Sequence, residues 1–253
     1  MMSTGLIKRR YEIKYLVDHH KAIEFEKRIA EYMYPDPNMS EDEGRRGYYN
    51  HSIYFDNPRN RFYLEKHEGN LERIKPRIRG YRPHIGVPPS SFFLELKNRA
   101  DRVVHKERSA INFDLVRKCL RQGVLDYSIF DSNDLVQNKF YYLWKRFNLT
   151  PVVAVNYHRR AFFSNRYPGL RITFDSDLQA SRNFSFENKR VAYRYVLSPQ
   201  QQVIEIKYNK FIPRALLLDI QKFEIQQSTY SKFAAAVETN SAAKFNLKRC
   251  YLD

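Results

Sequence analysis

Charged and bulky apolar residues alternate along at least six segments of this chain. Successive side chains of a β-strand point to opposite faces of the sheet, so the alternation predicts strands with one charged face and one apolar face. The clearest segments are Tyr11–Tyr15, Arg77–Arg79, Leu94–Lys97, Tyr157–Arg159, Arg171–Asp175 and Ile204–Tyr208.

The wider pattern predicts strands at about residues 9–17, 48–55, 71–82, 91–99, 102–111, 151–164, 169–177 and 202–208, with a further pair over 182–196. The stretch 36–47 is expected to be a loop, and Pro76 to mark a bulge or a sheet edge. Helices are predicted after the N-cap Asp18, twice within 113–147, from Pro213 to Gln221, and from about Thr229.

The apolar strand faces need a cover, and the predicted helices can supply it. If the helices pack outside, the charged faces point inward. The predicted fold is therefore α+β, a closed antiparallel β-barrel of about eight strands that forms a basic tunnel. Because no linker or repeat interrupts the chain, we expect one domain over residues 1–253, with its core at about 8–235 and a C-terminal helix and tail at 229–253.

Composition adds a strong charge signal. The 253 residues are 43% hydrophobic and carry a formal net charge of +16, which implies an anionic partner. Cys119 and Cys250 have no disulfide or metal spacing, and no segment resembles a signal peptide or a membrane span. We expect a cytoplasmic protein, with peripheral association to a membrane protein partner left open. Nucleic acid is not expected, because the aromatic residues alternate opposite the charges, as core packing requires.

The predicted inward positions are nearly all cationic, and like charges on one face repel unless an anion lies between them. Arg and Lys together favour phosphate groups as that anion. Glu12, Glu95 and Glu205 on the same faces suit Mg²⁺ or Mn²⁺, which bind carboxylates and bridge to phosphates. The alternative is that each Glu pairs with the Lys two residues later. The cations are Lys14, Arg77, Arg79, Lys97, Lys106, Arg108, Arg159 and Arg171.

Eight short motifs, in order between about residues 8 and 235, resemble the VTC (vacuolar transporter chaperone) domain of the triphosphate tunnel metalloenzyme superfamily. They are Tyr11–Tyr15, Ile53–Asn57, Arg77–Arg79, Glu95–Lys97, Tyr157–Arg159, Arg171–Ile172, Ile204–Lys207 and Ser231–Phe233. The resemblance implies a β-barrel tunnel and a polyphosphate polymerase that moves the γ-phosphate of ATP onto inorganic polyphosphate, with Mn²⁺ or Mg²⁺.

The resemblance also implies site residues. Tyr157 is similar to a phosphate-contacting tyrosine, Glu205 to the metal ligand, and Ser231 with Lys232 to a pair at the tunnel mouth. Lys66 stands where the family uses an arginine. The implied phosphate ligands are Lys14, Arg77, Arg79, Lys97, Arg159 and Arg171, with Lys106 beside them.

One departure bears on the reaction. The hydrolytic branch of the superfamily opens with Glu-x-Glu-x-Lys, and here Arg10 takes the first Glu position. The missing carboxylate favours the polymerase over a triphosphate or tripolyphosphate hydrolase that uses the same tunnel. A non-catalytic module that binds polyphosphate or inositol phosphates is the other alternative.

Overall fold

In the computed structural model, the described residues are 10–42, 44–82, 87–100, 103–121, 125–186 and 192–240. Their strands are β1 Tyr11–Asp18, β2 Tyr34–Pro35, β3 Ser40–Asp42, β4 Arg45–Asp56, β5 Glu72–Arg82, β6 Ser91–Ala100, β7 Val103–Ile111, β8 Thr150–Phe163, β9 Arg171–Ser181, β10 Arg194–Tyr195, β11 Gln201–Tyr208 and β12 Gln227–Ser228. Their helices are α1 His19–Ile29, α2 Arg61–His67, α3 Phe113–Leu120, α4 Leu135–Phe147, α5 Arg214–Lys222 and α6 Lys232–Asn240, with a 3₁₀ turn at Tyr127–Ile129. Within this described part, no helix combines the length and apolar character needed to cross a bilayer.

Eight strands follow one another round a ring in the order β1-β11-β9-β8-β4-β5-β6-β7, with antiparallel pairing throughout. The ring closes where the backbone N–H of Val104 in β7 donates to the carbonyl of Arg10, just before β1, at 3.0 Å. The short strands β2, β3, β10 and β12 pair at its margins. The predicted α+β ring of about eight strands is thus confirmed.

Helices cover the apolar outer face of this ring in two clusters. In one, Phe25 of α1 and Leu216 of α5 pack with Ile172 and Ile206. In the other, α2, α3 and α4 pack with Ile78. Helix α6 belongs to the same apolar cluster but contributes to the cavity lining inside the ring. Burial of these apolar faces is the main favourable term in the fold, and it fixes which face of each strand points inward.

The predicted loop over 36–47 is wrong. Ser40–Asp42 pairs with the start of β4, and Gly44 in the turn between them has φ of 74°, a left-handed conformation that suits glycine. This hairpin has no apolar face, so hydrophobic alternation gives no signal there.

Three other local predictions have different outcomes. Pro76 lies in β5, which has a neighbouring strand on each side. In the described structure, however, residues 72–76 pair only with β6, so Pro76 lies at a local sheet edge, as predicted. The last helix begins at Lys232 rather than at Thr229, because the Ser231 hydroxyl accepts from the N–H of Ala234. Of the predicted strand pair over 182–196, the described residues contain only β10, and 187–191 lie outside them.

Candidate functional site

The ring encloses a cavity of about 1010 Å³. Among its described lining residues, thirteen are Lys or Arg and three carry a carboxylate, so the enclosed space is strongly positive. The cations are Arg10, Lys14, Lys75, Arg77, Arg79, Arg82, Lys97, Lys106, Arg108, Arg159, Arg171, Lys207 and Lys232, and the carboxylates are Glu12, Asp36 and Glu205.

Strand β5 shows how the local sequence builds this wall. Lys75, Arg77, Arg79 and Tyr81 follow one another at two-residue steps, about 6.7 Å each, and all four line the cavity. Ile78 between them is fully buried in the outer apolar cluster. The same alternation in the neighbouring strands brings cations from distant parts of the chain to one space.

A buried carboxylate, Glu95, anchors three cations of the wall. Its Oε2 accepts from Nε of Arg77 at 2.8 Å, its Oε1 accepts from Nζ of Lys106 at 2.8 Å, and Nε of Arg79 lies 3.8 Å away. Burial alone would raise the pKa of Glu95, but Arg77, Arg79 and Lys106 outweigh burial and hold that pKa well below its usual range. Glu95 therefore stays ionised and fixes the guanidinium groups in place.

A second cluster surrounds Lys232, the first residue of α6. Its ammonium lies 2.7 Å from oxygens of both Glu205 and Asp175. Arg159 donates to both oxygens of Asp175, each at 2.6 Å, and lies 3.5 Å from Glu205. Burial alone would lower the pKa of Lys232, but Asp175 and Glu205 raise it above its ordinary value, so the ammonium keeps its proton at neutral pH.

Glu12 and Glu205 lie side by side in the lining. Nζ of Lys207 is 2.6 Å from Glu205 and 3.9 Å from Glu12, and Nζ of Lys14 is 3.4 Å from Glu12 and 4.0 Å from Glu205. Lys97 donates to both oxygens of Glu12 at 3.1 and 3.2 Å. The predicted pairing of a Glu with the Lys two residues later thus occurs at Glu12 and at Glu205.

Lys75 differs from these lysines because, among the described residues, no carboxylate lies within ion-pair distance of it. Its ammonium donates to Oγ of Ser231 at 2.9 Å. Burial lowers the pKa of Lys75 well below its ordinary value, and the cations Lys14 and Lys97 lower it further, as do Lys66 and Arg73. An anion that enters here would relieve this repulsion.

Aromatic rings also line the cavity. Tyr48, Tyr81 and Phe93 lie in a row, with centroids 6.0 Å apart between the first two and 5.8 Å between the last two. The expectation that aromatic residues lie opposite the charges is therefore wrong for this group. Tyr54 and Phe233 line the cavity as well, but their rings stack on each other at 5.0 Å.

Most of the predicted site residues lie together on this lining. The exceptions are Glu95, which is fully buried behind the wall, and Lys66, which lies on α2 outside the lining. Their predicted roles as metal ligand and phosphate ligand stay predictions. Those on the lining are Glu12, Lys14, Arg77, Arg79, Lys97, Lys106, Tyr157, Arg159, Arg171, Glu205, Ser231 and Lys232.

Arg10, Lys75, Arg82 and Lys207 line the cavity but were not predicted as site residues, whereas Arg108 was predicted as an inward cation and lies on the lining. For two of the four a signal was present. Lys75 lies two residues before Arg77 and Lys207 two residues after Glu205, which is the step that keeps side chains on one strand face.

The carboxylates allow a test of the predicted divalent metal. Within the described residues, no three His, Cys, Asp or Glu side chains form a preformed metal site. Mg²⁺ is commonly held by one or two carboxylates together with substrate phosphates. The adjacent pair Glu12 and Glu205 fits a metal ion of this kind, one that binds together with phosphate.

The family model of the VTC domain matches residues 9–240. The chain belongs to the VTC domain family. This confirms the resemblance found in the short motifs. Family membership and the basic cavity together support a tunnel domain of the polyphosphate-related or triphosphate-binding kind.

Solved structures with a similar course of the chain include a candidate adenylate cyclase from Bacillus halodurans, 14% identical, covering 88% of this chain and 94% of that one, with a TM-score of 0.48. Another candidate adenylate cyclase, from Vibrio parahaemolyticus, is 12% identical, with 90% and 97% covered and a TM-score of 0.47. The Mimivirus capping enzyme triphosphatase is 9% identical, with 86% and 89% covered and a TM-score of 0.37. The comparison with curated proteins gives no match.

Proposed function

We propose that the protein is a polyphosphate polymerase, which transfers the γ-phosphate of ATP to the end of an inorganic polyphosphate chain. The observation that carries this proposal is the excess of thirteen cations over three carboxylates on the described lining of one cavity inside the strand ring. An elongated polyanion matches this charge distribution better than a single small anion does.

In the proposed reaction, a terminal oxygen of polyphosphate attacks the γ-phosphorus of ATP. A new P–O bond forms, the bond to the β,γ-bridging oxygen breaks, and ADP leaves with the electron pair. Such transfer depends mainly on positioning and on stabilisation of charge on the phosphoryl oxygens. No protein nucleophile is required, since the polyphosphate end is itself the nucleophile.

The chain's own residues supply fixed positive charge for this step. Glu95 holds Arg77 and Arg79 in place, and Asp175 holds Arg159. Lys232 stays an ammonium ion and can stabilise charge on the transferred group. We propose Lys14, Lys97, Lys106, Arg171 and Tyr157 as further phosphate contacts, with Ser231 beside Lys232.

Mg²⁺ or Mn²⁺ would be held by Glu205 with Glu12, and would neutralise phosphate charge during transfer. The two carboxylates now contact Lys207 and Lys97. Binding of phosphates would therefore draw these lysines away from the carboxylates and toward the substrate.

Incubation of the purified protein with ATP and Mn²⁺ or Mg²⁺, followed by gel electrophoresis of the products, tests the polymerase. We expect long-chain polyphosphate from the wild type, a loss of at least about 100-fold in Lys232→Met, and no change in Lys145→Met, which alters an exposed helix residue. Orthophosphate without polymer would instead identify a hydrolase. Tight binding of polyphosphate without turnover of ATP would identify a binding module.

We further propose a cytoplasmic location, where ATP is available, either free or attached peripherally to a membrane protein partner. Fractionation of cells that express the chain with a small epitope tag tests this. The tagged protein should appear in the cytosol, or on the cytosolic side of membranes from which high salt releases it.

A further inference from the structure

The row of three rings formed by Tyr48, Tyr81 and Phe93 has a property that the other cavity aromatics lack. Each ring is only partly buried, so an approaching flat molecule can reach it. Tyr54 and Phe233, in contrast, are 4% and 2% exposed and stack on each other. The three-ring row therefore offers aromatic surface to a ligand, whereas the stacked pair does not.

The row directly adjoins the arginines of the wall. Tyr81 follows Arg79 on the same face of β5, and the guanidinium of Arg79 lies 5.8 Å from the centre of the Tyr81 ring. Phe93 is the cross-strand partner of Arg79, and Arg108 lies 4.7 Å from the centre of the Phe93 ring. Phosphates bound by these guanidinium groups would leave any attached nucleoside next to the rings.

The other end of β5 has the opposite character. Lys75 stands across from Lys97, and Lys97 from Lys106, so compact ammonium groups dominate there. A base placed at that end would have to separate the stacked rings of Tyr54 and Phe233. A base at the three-ring row needs no such rearrangement.

We propose that Tyr48, Tyr81 and Phe93 form the subsite that stacks the nucleobase of the nucleoside triphosphate donor. Base–aromatic stacking stabilises binding without requiring a particular base, since every base has a π-face. This inference rests on the proposed function in taking ATP as the donor, but it concerns binding and does not require that the phosphate be transferred.

The test compares the affinities of ATP and tripolyphosphate by calorimetry without divalent metal, so that no turnover interferes. The variant Tyr81→Leu removes the ring at similar volume, Tyr81→Phe keeps the ring, and Tyr142→Leu changes an exposed tyrosine elsewhere. We expect Tyr81→Leu to weaken ATP roughly 5- to 100-fold while tripolyphosphate changes less than about twofold. Tyr142→Leu should bind both ligands as the wild type does. Tyr81→Phe keeps the ring but loses the hydroxyl that contacts Arg79, so it should keep the wild-type ratio of the two affinities.

An equal loss of both ligands in Tyr81→Leu would overturn the subsite, because it would show that the ring only positions Arg79. No loss of either ligand would overturn it too. The subsite would also be overturned if the wild-type protein bound tripolyphosphate but not ATP. Selective loss of ATP in a protein that makes no polymer would uphold the subsite and reject the polymerase.

A second measurement avoids variants that could fold poorly. Photolysis of the wild type with 8-azido-ATP, followed by peptide mapping, should label a peptide that contains Tyr48, Tyr81 or Phe93. Excess ATP should suppress this labelling. Labelling confined to the outer helices would contradict the proposal.

Discussion

The two ends of strand β5 present opposite chemistry to the same cavity. At one end, Lys75 faces Lys97 across the sheet, and Ser231 is its hydrogen-bond acceptor. At the other end, Tyr81 lies between Tyr48 and Phe93. Compact ammonium charges suit bare phosphate, while flat rings beside guanidinium groups suit the nucleoside end of a triphosphate.

This difference indicates that the two ends of the cavity suit different parts of a ligand. A symmetric polyanion can lie in it either way, but a nucleotide is expected to place its base at the rings. Between the two ends lie Arg77 and Arg79, both anchored by Glu95, which serve either ligand. Substitutions at the shared anchor and at each end therefore separate what the two ends have in common from what belongs to each.

The largest effect is expected at the shared anchor. Glu95→Gln would leave Arg77, Arg79 and Lys106 without their buried carboxylate, so we expect the free energy of unfolding to fall by about 3–5 kcal/mol in urea titrations. Added tripolyphosphate should recover part of this loss, because it can neutralise the same cations.

Glu31→Gln is the matched control, since Glu31 pairs with Arg28 at the exposed surface and its loss should cost less than about 1 kcal/mol. If Glu95→Gln were as stable as this control, Glu95 could not be the anchor of the wall.

The next effect isolates the lysine end. Lys75→Met removes an ammonium that repels its neighbours in the free protein but can contact phosphate, so ATP and tripolyphosphate should both weaken by roughly tenfold. The free energy of unfolding should not fall. If Lys75→Met weakened the binding of ATP but not of tripolyphosphate, the lysine end would not be a phosphate site as described. Lys145→Met serves as the surface control.

Proton uptake on ligand binding reports the change in protonation of Lys75. The pKa of Lys75 is depressed in the free protein, first by burial and then by Lys14 and Lys97, and a bound anion should raise it. Lys75 then takes up a proton on binding at any pH between its pKa in the free protein and its pKa in the complex. Tripolyphosphate affinity should therefore fall as the pH rises through that interval.

Calorimetry in buffers of different ionisation enthalpy measures this uptake directly. Lys75→Met should take up fewer protons than the wild type. Equal uptake in both proteins would assign the proton to another group.

The smallest effect concerns a hydroxyl at the aromatic end. Tyr48→Phe keeps the ring but removes the oxygen that accepts from Arg171 at 3.2 Å. We expect about two- to fivefold weaker binding of ATP and tripolyphosphate alike, because one neutral hydrogen bond is lost and stacking is kept. A change in the ratio of the two affinities would mean that the hydroxyl itself contacts the nucleoside.

Much of the fold could be predicted from the sequence because its strands are long and strongly alternating. The inward set of β5 and the outer position of Ile78 both follow from a two-residue step. Lys75 was not predicted as a site residue because a bulge or sheet edge, as expected at the neighbouring Pro76, would disturb the two-residue step. The hairpin around Gly44 was not predicted because it is polar on both faces.

The anchors of the cations could not be predicted in the same way. Arg159 meets Asp175 because these residues are cross-strand partners in β8 and β9, and a register irregularity between Asn156 and His158 sets that alignment. Alternation shows which face a side chain occupies, but not which residue lies opposite. The three-ring row depends on such cross-strand contacts as well, so it emerges only from the structure.

A crystal structure of the protein with tripolyphosphate tests the central claim most directly, namely that cations from distant strands form one polyphosphate-binding cavity. We predict phosphate density inside the ring, in contact with Arg77, Arg79 and Arg159, with Lys75 turned toward the ligand. Phosphate bound only on the outer surface, with Lys97 and Lys207 still paired to Glu12 and Glu205, would contradict the account.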